Sequence, residues 1–202
     1  MPSKFSSYEE FEAAKKSCQA CEVGKACGVV VSSDGNKTDP KVVVIGECPG
    51  RDEVLCGSPF VGKSGVLLRK MLNEFGFRKN NALITNVMPC RPLDNKFPSD
   101  DSIVSECVKN WLMEELKLLD PDCLLLVGSK ALKFVARKSG ITALRGTWIK
   151  MPEWHREIWC MPTFHPSYIQ RMEHMDEGGD ISDQFRNDIR SVAVRAGFCK
   201  SG

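Results

Sequence analysis

Four short aliphatic or β-branched runs, Val42 to Ile45, Ala82 to Thr85, Cys123 to Val127 and Glu157 to Met161, recur along the chain with helical patterns between them. Three of them are apolar almost throughout, which suits strands buried on both faces of a parallel sheet. The intervening patterns supply crossover helices at Ser64 to Phe75, stopped by Gly76, at Asp100 to Leu118, capped by Ser99 and stopped before Pro121, and at Lys130 to Lys138, stopped by Gly140. A last helix is expected over residues 181–195. Strand then helix, repeated, predicts an α/β fold whose mostly parallel sheet is covered on both faces.

Upstream of the first strand, Ser7-Tyr-Glu-Glu10 reads as a capping box that starts a helix running toward Ser17. Residues 22–40 read as turns, or at most a short hairpin through Gly28 to Ser32. A length of 202 residues fits one domain, divided into an N-terminal segment 1–40, a core 41–168 and a C-terminal helix 169–202. Residues 170–180, rich in Met, Glu and Gly, carry no readable function.

Hydrophobic residues at 42% and charged residues at 27% allow a buried core and exclude global disorder. No apolar run approaches the roughly 18 residues of a membrane helix. The charged first sixteen residues do not read as a secretory leader, so an intracellular, cytoplasmic protein is expected. With 28 basic against 26 acidic residues there is no global field for a polyanion, and any such contact must be local. Monomer is the default expectation.

In parallel α/β sheets ligands bind beyond the carboxyl ends of the strands, where helix amino ends converge. That rule selects Gly46 to Gly50, Asn86 to Arg91, Gly128-Ser129 and Thr163 to Ser167. Close by, Gly57-Ser-Pro-Phe-Val-Gly62-Lys63-Ser64 matches the phosphate-loop pattern letter for letter. Its context argues against nucleotide hydrolysis. Residues intervene between Ile45 and Gly57, Pro59 has no amide to donate, Phe60 adds bulk, and no later strand ends in the Asp expected to hold magnesium. The plainer reading is a helix start capped by Ser64.

Cys18-x-x-Cys21 is a metal or cluster spacing, since two thiolates so placed can reach one centre. By spacing alone zinc is the leading occupant. The ten cysteines stay below the density of secreted disulfide scaffolds, about 8 to 10%.

Taken in order, Gly46-Glu-Cys-Pro-Gly50, Gly57 to Gly62 heading a helix, Thr85-Asn86 followed by Cys90-Arg-Pro92, Leu126-Val-Gly-Ser-Lys-Ala131 and His165-Pro-Ser167 resemble the iron-sulfur (family 4) uracil-DNA glycosylases. The likeness runs from about Cys18 to Ser167. It implies a three-layer α/β/α sandwich with a four-stranded parallel sheet, and hydrolysis of the bond between uracil and deoxyribose in single- or double-stranded DNA. It also implies a four-iron, four-sulfur cluster on Cys18, Cys21, Cys90 and Cys107, with Cys27 the alternative to Cys21 and zinc the lesser occupant. Replication or repair proteins would be partners, and association with the nucleoid would follow in a bacterial or viral setting.

That reaction develops positive charge on the sugar and negative charge on the departing base. The resemblance places His165 at the uracil carbonyl, Asn86 on the imide edge and Phe60 stacked on the extruded ring, with Gly46 and Ser167 beside them. By residue type alone His165 could equally be a backbone-bonded loop histidine, Asn86 a loop cap and Phe60 plain core. Glu47 or Glu53 would orient water; the Asp that follows in the family pattern is Val54 here. Solvated loop acids are the ordinary alternative for both. Cys48 reads as a small filler, not a nucleophile. Lys63, Arg91, Arg145 and Arg171 are the candidate phosphate contacts, and Tyr168 and Ile169 the candidate wedge, against the bland reading of surface groups. The replacement at Val54 leaves a second reading open, a catalytically reduced DNA-binding module of replication or repair. A covalent uracil-DNA binder is set aside because no added basic loop ending in His follows Pro92.

Overall fold

The computed structural model describes residues 2–152, 154–173 and 178–200. Part of the 170–180 stretch, at 174–177, and positions 1, 201 and 202 of the expected domain lie outside the described residues. Six strands form one sheet, β1 (Asp34–Gly35), β2 (Val42–Gly46), β3 (Ala82–Asn86), β4 (Cys123–Val127), β5 (Ile149–Lys150) and β6 (Trp159–Thr163), in the order β1-β3-β2-β4-β6-β5. The inner four are parallel, with Val44 opposite both Ile84 and Leu125. The expected count of four is corrected to six by β1 and β5, antiparallel edge strips of two residues each. Strips that short carry no periodicity, so nothing in sequence announces them. The fourth parallel strand also starts two residues later than expected, because Glu157 is exposed and pairs with Lys150 at 3.1 Å.

Ten helices cover or connect the described sheet: α1 (Tyr8–Lys16), α2 (Glu22–Cys27), α3 (Arg51–Cys56), α4 (Lys63–Glu74), α5 (Asp101–Cys107), α6 (Met113–Leu119), α7 (Ser129–Ala136), α8 (Ile141–Leu144), α9 (Pro166–Glu173) and α10 (Gly178–Arg195). Ser7 caps α1 as expected, its Oγ accepting from the Glu10 amide at 3.2 Å. Helix α2 replaces the expected turn or hairpin, because the Cys21 thiol caps its start and Gly28, at φ 64°, supplies the left-handed stop. Asp100, not Ser99, caps α5, and Gly62, not Ser64, precedes α4. The single helix expected through Leu118 is broken by a π-helical turn at Val108–Leu112, directly after Cys107.

Alternate residues of the buried strands feed two cores, the outer layers of the sandwich. Val43, Ile45, Leu124 and Leu126 pack against Val104, Leu116 and Leu132 from α5, α6 and α7. Val42, Val44, Leu125 and Val127 pack against Leu68, Leu72, Phe185 and Ile189 from α4 and α10. No described helix is long and apolar enough to cross a membrane.

Inside the first core lies a buried charge. Glu115, 0% exposed, accepts from Tyr8 Oη at 2.5 Å, Ser33 Oγ at 2.5 Å, Thr85 Oγ1 at 3.1 Å and Lys15 Nζ at 3.2 Å. Burial works against its ionisation, but Lys15 and the Ser33 and Tyr8 hydroxyls outweigh it and hold the carboxyl below its ordinary range. The network ties α1, which leads into Cys18, to Thr85 beside Asn86. Replacing Lys15 with Met strands a buried carboxylate and should cost about 3 to 5 kcal/mol in urea unfolding, most of it regained when Glu115→Gln is added. A loss below about 1 kcal/mol would mean that the ion pair is not what satisfies Glu115.

Candidate active site

The carboxyl ends of β2 and β3, the amino end of α4 and the start of α9 enclose a pocket of about 510 Å³. Its wall includes Glu47, Glu53, Phe60, Asn86, His165 and Ser167, so the sequence-selected side chains meet at one place. Gly46, at the end of β2, makes the meeting possible. A Cβ there would stand 2.3 Å from Phe60 Cζ and 2.5 Å from Asn86 Oδ1. Only hydrogen lets the ring and the amide share that floor.

Asn86 is 8% exposed, and among the described residues its amide has no hydrogen-bond partner. A planar donor and acceptor pair is therefore left facing the pocket. Phe60, 6% exposed, sits at φ 54°, a strained conformation for a bulky residue. Arg69 holds it there, donating to Phe60 O at 2.9 Å and to Pro59 O at 2.7 Å, while pairing with Asp34 at 2.8 Å. The Phe60 and His165 rings lie 6.1 Å apart.

His165 ends the loop after β6. Arg171 donates to Ser167 Oγ at 3.4 Å, that oxygen lies 2.8 Å from His165 Nδ1, and the Ser167 amide reaches the same nitrogen at 3.3 Å. Nδ1 thus accepts, which leaves the proton on Nε2. Burial first, then the Arg171 charge, lower the imidazole pKa to about 4. His165 is a neutral N–H donor at neutral pH.

The phosphate-loop likeness resolves into something else. Glu53 Oε1 accepts from the Val61 amide at 3.1 Å and the Gly62 amide at 2.9 Å, and Oε2 from the Gly50 amide at 3.0 Å. The amides that would cradle a nucleotide phosphate already hold a carboxylate of the same chain. This occupation also narrows the acidic candidates: Glu53 clamps the loop. The Glu47 carboxylate has no hydrogen-bond partner among the described residues; burial raises its pKa, opposed by Lys130. Cys48 has its thiol pushed up to about 12 by burial and by Glu47, which suits filler and not a nucleophile. Val54 stands in α3 outside the pocket wall, whereas Asp52 is part of it. Asp52, Lys130 and Asn95 are not among the residues the motifs select; Asp52 stands in the first turn of α3.

Among the basic candidates, Lys63 and Arg171 are exposed at the rim, and Arg91 donates to Asn95 Oδ1 at 2.9 Å. Arg145 is corrected: its guanidinium turns inward, Nε donating to Asp188 Oδ2 at 2.8 Å, with 17% of the side chain exposed. A buried carboxylate 43 residues away outcompetes solvent for it. Of the wedge candidates, Ile169 is 0% exposed in the second core, and Tyr168 is half-buried, packed on Phe164 at 5.0 Å between centroids.

Cys18, Cys21, Cys90 and Cys107 come from three segments and gather beside α1. Burial first, then the charges of neighbouring thiols, push Cys90 and Cys107 up to about 12, with Lys15 acting the other way. Among the described residues no three His, Cys, Asp or Glu side chains are set to close on one metal ion. Four thiols drawn from three segments are a donor set that suits either zinc or an iron-sulfur cluster. Cys27 also lies near Cys90, its Sγ donating to Val29 O at 3.2 Å.

Fold and pocket together define an α/β protein with a pocket at the carboxyl ends of its parallel strands, walled by an aromatic ring, an unpartnered amide and an imidazole. A family model described as the uracil DNA glycosylase superfamily matches residues 32–190. The type-4 uracil-DNA glycosylase of Thermotoga maritima is 36% identical over 158 residues, 77% of this chain and 79% of the relative. That of Archaeoglobus fulgidus is 28% identical over 186 residues, 90% of this chain and 89% of the relative. A DNA polymerase of Bacillus phage SP01 shares 27% identity over 107 residues, only 11% of its own length. This chain belongs to the uracil DNA glycosylase superfamily, on its type-4 branch.

Proposed function

We infer that this chain is a monofunctional uracil-DNA glycosylase, hydrolysing the N-glycosidic bond of uracil in DNA to leave an abasic site for base excision repair. The observation that carries the reading is the unpartnered Asn86 amide facing Phe60 and a neutral His165. The type-4 relatives support it. Phe60 stacks on the extruded base, and Asn86 offers an acceptor and a donor to the imide edge. Cytosine presents the opposite pattern there and is rejected. His165 Nε2–H bonds the carbonyl beside the glycosidic nitrogen, where negative charge grows. Glu47, ionised and poorly solvated, orients water and faces the sugar cation. Ser167 and Arg171 keep the His165 tautomer fixed, and Lys63, Arg91 and Arg171 take the flanking phosphates.

Cys18, Cys21, Cys90 and Cys107 would hold a four-iron, four-sulfur cluster, which when bound supplies folding energy rather than a reacting atom. It would pin both ends of the 90–107 segment, Arg91 included, against the sheet.

A labelled oligonucleotide with one uracil, single-stranded and duplex, tests the reading by alkaline strand cleavage. Cleavage at uracil is expected, falling by about 10²- to 10³-fold in Asn86→Ala, since one positioned polar contact is lost. No cleavage by anaerobically purified protein, with uracil-dependent binding kept, would turn the chain into a reader of damaged DNA.

A further inference from the structure

Extruding a base from a duplex leaves a gap, and proteins that distort DNA fill such gaps with an apolar side chain. With Ile169 in the core and Tyr168 half-buried against Phe164, α9 presents no fully exposed large apolar side chain among the described residues. The opposite rim does. Leu93 is 69% exposed, on a one-turn 3₁₀ segment, Leu93–Asn95.

A single exposed leucine is ordinary. The turn that carries this one is not. Asp94 and Asn95 stand at φ 53° and 56°, two consecutive left-handed residues that are not glycine. Asn95 N–H donates to Pro92 O at 3.2 Å, Lys96 N–H to Leu93 O at 2.9 Å, and Arg91 to the Asn95 side chain at 2.9 Å. Both ends are anchored, one by buried Cys90, the other by Phe97, 6.0 Å from the Phe134 ring and beneath Lys130 at 4.5 Å. Asn95 itself lines the pocket with Glu47, Asn86 and His165. A turn anchored at both ends thus holds an apolar side chain out into solvent beside the place where the base must enter, with Arg91 at its foot.

Resting on the glycosylase reading, we propose that Leu93 is the wedge, entering the duplex stack as uracil leaves it while Arg91 holds the adjoining phosphate. A wedge matters only where there is a stack to enter, so duplex and single-stranded substrates separate its role from catalysis. The test compares wild type, Leu93→Ala and Leu93→Phe on both substrates, with 2-aminopurine next to the uracil reporting unstacking. Leu93→Ala should lose about 10- to 100-fold in kcat/KM on duplex, the few kcal/mol of unstacking no longer offset. On single strands it should match wild type, the duplex fluorescence rise should vanish, and Leu93→Phe should restore both. Equal rates on duplex for Leu93→Ala and wild type, or an equal loss on both substrates, would overturn the wedge while leaving the glycosylase in place. Wild-type inactivity on both substrates would instead overturn the glycosylase reading and the wedge with it.

Discussion

Replacing Glu47 with Gln should lower kcat on uracil-containing DNA by about 10²- to 10⁴-fold, the usual range for a lost proton-handling or water-orienting group. Three carboxylates line the pocket, and their surroundings set Glu47 apart from Glu53. Glu53 already accepts from three backbone amides, whereas the half-buried Glu47 carboxylate is free to bond water. The pH profile gives the sharper check. Burial raises the Glu47 pKa above the ordinary carboxylate range, and only the ionised form is useful, so activity should fall as pH drops through that raised value. His165, lowered to about 4, stays neutral through the same window and cannot produce that limb. In Glu47→Gln the acid limb should disappear along with the rate. If the limb persists at full amplitude, the titrating group is elsewhere, with Asp52 the next to test.

Cys107→Ala or Cys18→Ala should give colourless, poorly soluble protein with iron well below four atoms per chain, the largest structural effect expected of any single change in the chain. The thiols of Cys90 and Cys107 resist ionisation because they are buried among other thiols. A bound cationic centre would offset the cost of ionising them, and its binding energy would become folding energy. Cys27→Ala is the contrast. Its thiol already donates to Val29 O, and the variant should stay brown. A brown, stable Cys18→Ala protein, or a bleached Cys27→Ala protein, would redraw the ligand set. Iron content and visible absorption decide it without any activity assay.

The parallel core was legible because β2 and β4 are apolar on both faces, a pattern few other structures tolerate. The two-residue edge strands and the π turn after Cys107 were not, since each rests on pairing or local strain that no side-chain period records. In the site, motif order brought Glu47, Phe60, Asn86 and His165 together correctly, as residues at the carboxyl ends of neighbouring strands must converge. Motifs say nothing of which way a side chain turns. Arg145 and Ile169 face inward because Asp188 and the second core, both set by the distant α10, claim them. Asp52 and Asn95 went unmarked for the converse reason: no motif singles them out, and only the packing of α3 and of the Leu93–Asn95 turn carries them to the pocket wall.

The loop at Gly57 to Gly62 carries one consequence for the protein's life among metabolites. Its amide nest is occupied by Glu53, an anion tethered a few residues away, and a short tether amounts to an effective concentration of millimolar or more. Free phosphate and nucleotides at cellular levels must compete with that built-in occupant from the outside. A helix start that in another setting would receive an anion from outside is thereby already occupied from within the chain.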